Sequence, residues 1–178
     1  MTIRDKNFEP YIHEEQILTR IREIARDINK RYADSNPLFL SVLNGSFMFA
    51  ADLMKEIPVR SEISFVKYTS YQAMESTGKV RELIGLNDEV TGRDVVIIED
   101  IVDTGHTMHH LIEELKKLNP ASVSVCTLLL KPDALKRPIN LDYIGFSIPN
   151  KFVVGYGLDY DGYGRNFRDI YQLSEQTA

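Results

Sequence analysis

Cysteine is almost missing from this 178-residue sequence, and the single thiol, Cys126, lies inside the apolar run SVSVCTLLL. That excludes a disulfide framework and marks Cys126 as a small core residue. An excess of positive charge is missing too. With a formal net charge of −5, the chain lacks the basic face that a nucleic-acid backbone would require of its main partner, so no nucleic acid is expected. No apolar run approaches membrane-spanning length, and the opening MTIRDKNFEP has no signal-peptide apolar core. The expected place is therefore cytoplasmic, with no membrane partner. Neither GxxxxGKS/T nor GxGxxG occurs, and Gly155-Tyr156-Gly157 lacks the third glycine of a dinucleotide fingerprint. There is also no internal repeat, polar low-complexity tract or linker. At 43% hydrophobic residues the chain can bury a core, and residues 1–178 read as a single domain.

What is present has the rhythm of an α/β protein. From Glu14 to Arg31, Ile17, Ile21, Ile24 and Ile28 advance by helical steps, with acids early and bases late. Leu38 to Asn44 reads as a buried strand; Gly45 and Ser46 then turn into the helical pattern FMFAADLMKEI. The unit recurs as a strand from Asp94 to Glu99, a loop from Asp100 to His106, and a helix from Thr107 to Leu118 with Leu111, Ile112, Leu115 and Leu118 inward. Further strands are expected over Ser122 to Leu130, Tyr143 to Ser147 and, punctuated by glycine, Lys151 to Asp159. Alternating strands and helices predict a central, mostly parallel twisted sheet flanked by helices. Two segments depart from this rhythm. A strand with one wet face is expected between Val59 and Tyr71, followed by the polar loop QAMESTGKV, and the tail YDGYGRNFRDIYQL reads as a loop over a site followed by a short terminal strand.

The stretch VVIIEDIVDTGHTM, Val95 to Met108, concentrates the chemistry. A doubly buried strand runs into Glu99 and Asp100, with Asp103 three positions later, at the strand's carboxyl end where open α/β sheets bind ligands. If the loop opens a helix, the unpaired N–H groups of Thr104 to Thr107, with the hydroxyls of Thr104 and Thr107, form a cup for a phosphate, and Gly105 permits close backbone approach. Glu99 and Asp100 would repel that phosphate. Their partners should be sugar hydroxyls or a divalent cation, and a phosphorylated sugar presents both kinds of group. A lone acid at a strand end is usually just solvated; three acids, two threonines and a glycine within nine residues argue for a site.

This stretch resembles the phosphoribosyl-pyrophosphate (PRPP) motif of type I phosphoribosyltransferases. Together with LNGSFMFAADL, SYQAMESTG, LLLK and KFVVGYGLDYDGYGR, in that order, the chain from about His13 to Leu173 resembles the hypoxanthine-guanine phosphoribosyltransferases. The resemblance implies the type I phosphoribosyltransferase fold, with a small hood formed by the chain ends. It implies a purine salvage enzyme that transfers phosphoribose from PRPP to hypoxanthine and guanine, uses Mg²⁺, and assembles as a homodimer or homotetramer.

Carried over position by position, the resemblance assigns the ribose to Glu99 and Asp100 and the 5′-phosphate to the loop Asp103, Thr104, Gly105, His106 and Thr107. Asp103 matches the general base near purine N7. Asn44, Gly45 and Ser46 match a turn whose amides bind pyrophosphate, and Arg165 matches an arginine on the same group. Ser70 and Tyr71 open the family's lid. Lys131 matches the donor to the purine 6-oxo group, although its position past a strand would by itself suggest a solvated cap. Lys151, Phe152 and Val153 match the segment that stacks on the base, and main-chain groups near Val153 and Asp159 match those that read its edge. Glu99, Asp100 and Asp159 are the implied metal ligands. Asn44 stands where relatives carry Lys or Arg, removing one positive charge beside pyrophosphate. A regulator that keeps this fold and binds nucleic acid would need a basic surface or an added domain. An enzyme for xanthine, uracil or orotate is the further alternative.

Overall fold

The computed structural model describes residues 1–70, 80–84 and 89–174. The chain opens with two strands that the sequence pattern did not disclose, β1 (Thr2–Ile3) and β2 (Lys6–Ile12). Helix α1 (Glu14–Arg31) then buries Ile17, Ile21, Ile24 and Ile28. Strand β3 (Leu38–Leu43) leads through Asn44-Gly45-Ser46 into α2 (Phe47–Lys55). Next come β4 (Glu62–Ser70), β5 (Val80–Ile84) and β6 (Asp94–Val102). Helix α3 (His106–Lys116), β7 (Ser122–Leu130), β8 (Tyr143–Ser147), β9 (Val153–Val154) and β10 (Ile170–Leu173) complete the order. Among the described residues, no helix is long and apolar enough to cross a membrane.

The main sheet has the order β5-β4-β3-β6-β7-β8 and is parallel except at its edge, where β5 runs antiparallel to β4. Successive residues of β6 point to opposite faces, as the period of two requires. Val96 and Ile98 join the cluster under α1 and α2, while Val95 and Ile97 join the one under α3. A second, antiparallel sheet, β1-β2-β10-β9, joins the two ends of the chain into the expected hood. The hood is not a separate body: Ile12, Val153, Tyr156, Leu158 and Ile170 share the main core with α1 and α2.

Three expected boundaries move. Strand β6 does not stop at Glu99 but pairs with β7 as far as Val102, so the acid pair lies within the strand, past its last pairing with β3 at Ile98. Helix α3 ends at Lys116, and Leu118 is 45% exposed rather than inward, because Asn119, with φ of 52°, already turns the chain away. The expected strand over Lys151 to Asp159 shrinks to β9, since Gly155, Tyr156 and Gly157 all take positive φ and break the extended backbone. Of the expected lid, Ser70 closes β4 and Tyr71 lies outside the described residues, as does the polar loop up to Lys79.

Candidate active site

The site gathers at the carboxyl ends of β3, β6 and β7. Glu99 is buried and Asp100 half-buried, side by side on β6. Burial first, then the adjacent Asp100 charge, pushes the Glu99 carboxyl well above the usual carboxylate range. Burial also raises Asp100, opposed by hydrogen bonds from its neighbours and by the charge of Arg165. Asp100 lies directly under the Asn44-Gly45-Ser46 turn: a Cβ on Gly45 would collide with its carboxylate, so any other residue there would have to displace Asp100. The Leu43-Asn44 peptide in this turn is cis. Asn44 is exposed, whereas Ser46 is fully buried, its hydroxyl donating to the Val42 carbonyl and bonding Ser41 at 2.7 Å. Ser46 therefore offers the site its backbone, not its side chain.

After β6 the chain passes Asp103 and Thr104 and enters α3 through Gly105, which takes φ of 81° as the N-cap. The left-handed turn aims the first amides of α3 outward, where helix geometry leaves them without intrahelical partners. Thr104 and Thr107 are half-buried beside them and His106 is exposed. The segment after β7 buttresses this loop: the Lys136 amide donates to the Thr104 carbonyl at 3.0 Å, and a Cβ on Gly105 would press on Ile139 at 2.7 Å. Sequence reasoning missed that support, because residues 132–139 show no periodicity.

Lys131 is not a solvated cap. Its side chain is only 9% exposed and its Nζ lies 3.0 Å from Asp103 Oδ2, with Asp103 45% exposed. The Lys131 amide also donates to the Val102 carbonyl at 3.0 Å. A buried ammonium retained beside one accessible carboxylate keeps further donors for a ligand.

The hood closes over these elements with a polar turn of its own. Arg165 donates to the Gly157 carbonyl at 2.7 Å and pairs with Asp159 at 2.6 Å, while Asp159 accepts from the Gly162 amide at 2.7 Å. Gly157 abuts the Gly45 carbonyl so closely that no Cβ fits between them. Val153 is buried in the core. Phe152, which its composition would place in the core, is 43% exposed; its ring contacts are Phe8 and Tyr160, at 6.2 and 5.7 Å. Beside it, a cleft of about 590 Å³ is lined by Asn150, Lys151 and Phe152 together with Asp5, Lys6 and Asn7. Those N-terminal residues carried no motif and were not foreseen.

As for a metal, among the described residues no three candidate ligands come together. Glu99 and Asp100 form a pair, and Asp159 is instead engaged by Arg165. Two adjacent carboxylates without an ion-pair partner among the described residues fit a hard cation that keeps waters and takes its other oxygens from substrate.

An acid pair near the carboxyl end of β6, a left-handed glycine opening α3, and a buried lysine on a third acid thus lie together on one side of the sheet. The phosphoribosyl transferase domain matches residues 11–161. The chain belongs to the phosphoribosyltransferase family. It is 43% identical to the hypoxanthine phosphoribosyltransferase of Escherichia coli K12, over 85% of this chain and 87% of that one. Identity is also 43% to the hypoxanthine-guanine phosphoribosyltransferase of Mycobacterium avium, over 88% of this chain and 79% of that one. Among solved structures, a variant of the Trypanosoma cruzi hypoxanthine phosphoribosyltransferase complexed with its product IMP superposes with a TM-score of 0.88 at 36% identity, covering 98% of this chain and 93% of that one.

Proposed function

We propose that this phosphoribosyltransferase transfers the 5-phosphoribosyl group of PRPP to N9 of hypoxanthine, and of guanine, giving IMP or GMP and pyrophosphate in the cytoplasm. The observation that carries this reading is the 3.0 Å pair between Lys131 and Asp103, set between the phosphate loop and the hood. Lys131 has three donors, one of which Asp103 uses, and offers another to the 6-oxo group of the purine. Asp103 stands beside it to take the N7 proton.

In this reading the 5′-phosphate lies on the amides of Thr104 to Thr107, with His106 at the rim, and the ribose hydroxyls face Glu99 and Asp100. As the glycosidic bond to pyrophosphate breaks, positive charge grows on the ribose ring, where Glu99 and Asp100, once substrate hydroxyls or a cation offset their burial, favour it. Negative charge grows on the leaving pyrophosphate, which meets Arg165 and the Asn44-Gly45-Ser46 amides. A bound Mg²⁺ would supply charge neutralisation on the pyrophosphate, held by Glu99 and Asp100 with Asp159 near the same oxygens. Phe152 offers an open ring face for stacking on the base, flanked by Lys151 and the Val153 backbone. The partners are the small molecules PRPP and a 6-oxopurine, and the assembly is a homodimer or homotetramer.

The test is incubation with PRPP, Mg²⁺ and a panel of hypoxanthine, guanine, xanthine, uracil and orotate, with the nucleotide products identified. IMP and GMP should form with stoichiometric pyrophosphate. A product from uracil or orotate and none from hypoxanthine would move the enzyme to another base class.

A further inference from the structure

Three consecutive residues, Gly155, Tyr156 and Gly157, have φ of 103°, 49° and 100°. Glycine adopts such values freely, but a tyrosine held there is strained and persists only where its surroundings over-determine it. Here they do. The Tyr156 amide donates to the Phe167 carbonyl and the Gly157 amide to the Arg165 carbonyl, both at 2.9 Å. The Tyr156 side chain is 1% exposed, within the main core, and its hydroxyl donates to Asp52 Oδ2 on α2 at 2.5 Å. The other Asp52 oxygen accepts from Lys55 at 2.8 Å. Burial, reinforced by the Asp52 carboxylate, raises the phenol above its ordinary range and keeps the donor protonated.

This bond joins two parts of the candidate pyrophosphate site. Helix α2 begins directly after Asn44-Gly45-Ser46, and the Gly155–Gly157 turn presents the carbonyl that Arg165 grips. Nothing but backbone separates Gly157 from Gly45, so a small slip of the turn along α2 would change how the two halves meet.

We propose that Tyr156 and Asp52 are positioning residues: their partly buried hydrogen bond locks the hood turn to α2 and holds Arg165 and Asp159 in register with the Gly45 turn, preorganising the pyrophosphate subsite. The inference rests on the function proposed above. The phosphate loop and the Asp103–Lys131 pair lie on β6, α3 and β7, and Phe152 and Val153 are held ahead of the turn by their own pairing with β10, so loss of the latch should separate pyrophosphate recognition from nucleotide recognition.

Tyr156→Phe removes the hydroxyl alone. The KM for PRPP, and that for pyrophosphate in the reverse direction, should rise roughly tenfold, the scale of one lost hydrogen bond to a carboxylate. The Kd for IMP, which carries no pyrophosphate, and the KM for hypoxanthine should stay within about twofold. Asp52→Ala should match Tyr156→Phe, the double variant should be no worse than either, and Asp52→Asn, which keeps an acceptor oxygen, should recover native values. An unchanged KM for PRPP in Tyr156→Phe would overturn the proposal. So would equal losses for PRPP and IMP, which also covers a variant that fails to fold. A native protein that makes no nucleotide from PRPP and any base would instead overturn the enzyme assignment.

Discussion

Glu99 and Asp100 are held in a place that disfavours their own charge. Their folded pKa values lie above the ordinary carboxylate value, so between the two the native chain binds more protons than the unfolded one. Stability is therefore fully present at or below the ordinary carboxylate range and is lost as pH rises through the raised values. Thermal unfolding of ligand-free native protein and Glu99→Gln across that range should show the native curve falling relative to the variant as pH increases; parallel curves would mean the pair is not strained. The same strain makes functional sense, because ribose hydroxyls or a cation would restore what burial removes. Asp103 is different: it is accessible and paired with Lys131, and the proposed reaction gives it the N7 proton. Asp103→Asn should lower kcat by roughly 10²-fold while PRPP binding stays within a few-fold, and near-native kcat would remove it from the chemistry. At this scale Glu99, Asp100, Asp103 and Gly105 were legible in the sequence because they are contiguous on one strand and loop. The burial of Lys131 and the exposure of Phe152 were not, since each depends on elements distant in sequence.

Among elements, α1 and β7 lie where their apolar patterns predict, for the first buries a regular stripe and the second a continuous run, while β8 keeps its expected bounds as a half-buried edge strand. β1, β2 and the antiparallel edge strand β5 escaped notice, because short hood and edge strands carry little periodicity of their own and are fixed by their partners. The turn after β9 was misread as strand for the same reason: its shape follows from contacts with α2 and Arg165 rather than from local pattern. The junction of β6 and α3 makes a specific demand on sequence. Gly105→Ala must hold a left-handed φ and displace Ile139, a cost of about 1 kcal/mol or more. That should lower Tm by roughly 2–4 °C and weaken binding of nucleoside 5′-monophosphates. A variant with native Tm and native affinity would show that the loop tolerates another geometry.

For the whole molecule, the α/β class and the parallel sheet follow from alternating strands and helices, whereas the hood, built from the chain ends, was implied only by the family resemblance. The shared core gives the hood a thermodynamic meaning: Ile170 on β10 is buried with α1 and α2 residues, so Ile170→Ala should cost about 2–5 kcal/mol and lower a single unfolding transition. Two resolved transitions, with only one displaced, would make the hood a separate unit. The central claim is that this fold reads a 6-oxopurine beside PRPP, and it is tested most directly by kcat/KM for hypoxanthine against adenine at saturating PRPP and Mg²⁺, in native protein and in Lys131→Met. Adenine sets an amino group against an ammonium group, donor against donor, and a buried polar contact left unpaired can reject an analogue by ~10⁴-fold. Native protein should discriminate on that scale and Lys131→Met should lose most of it; adenine accepted within about tenfold of hypoxanthine by native protein, or undiminished discrimination in Lys131→Met, would contradict the account.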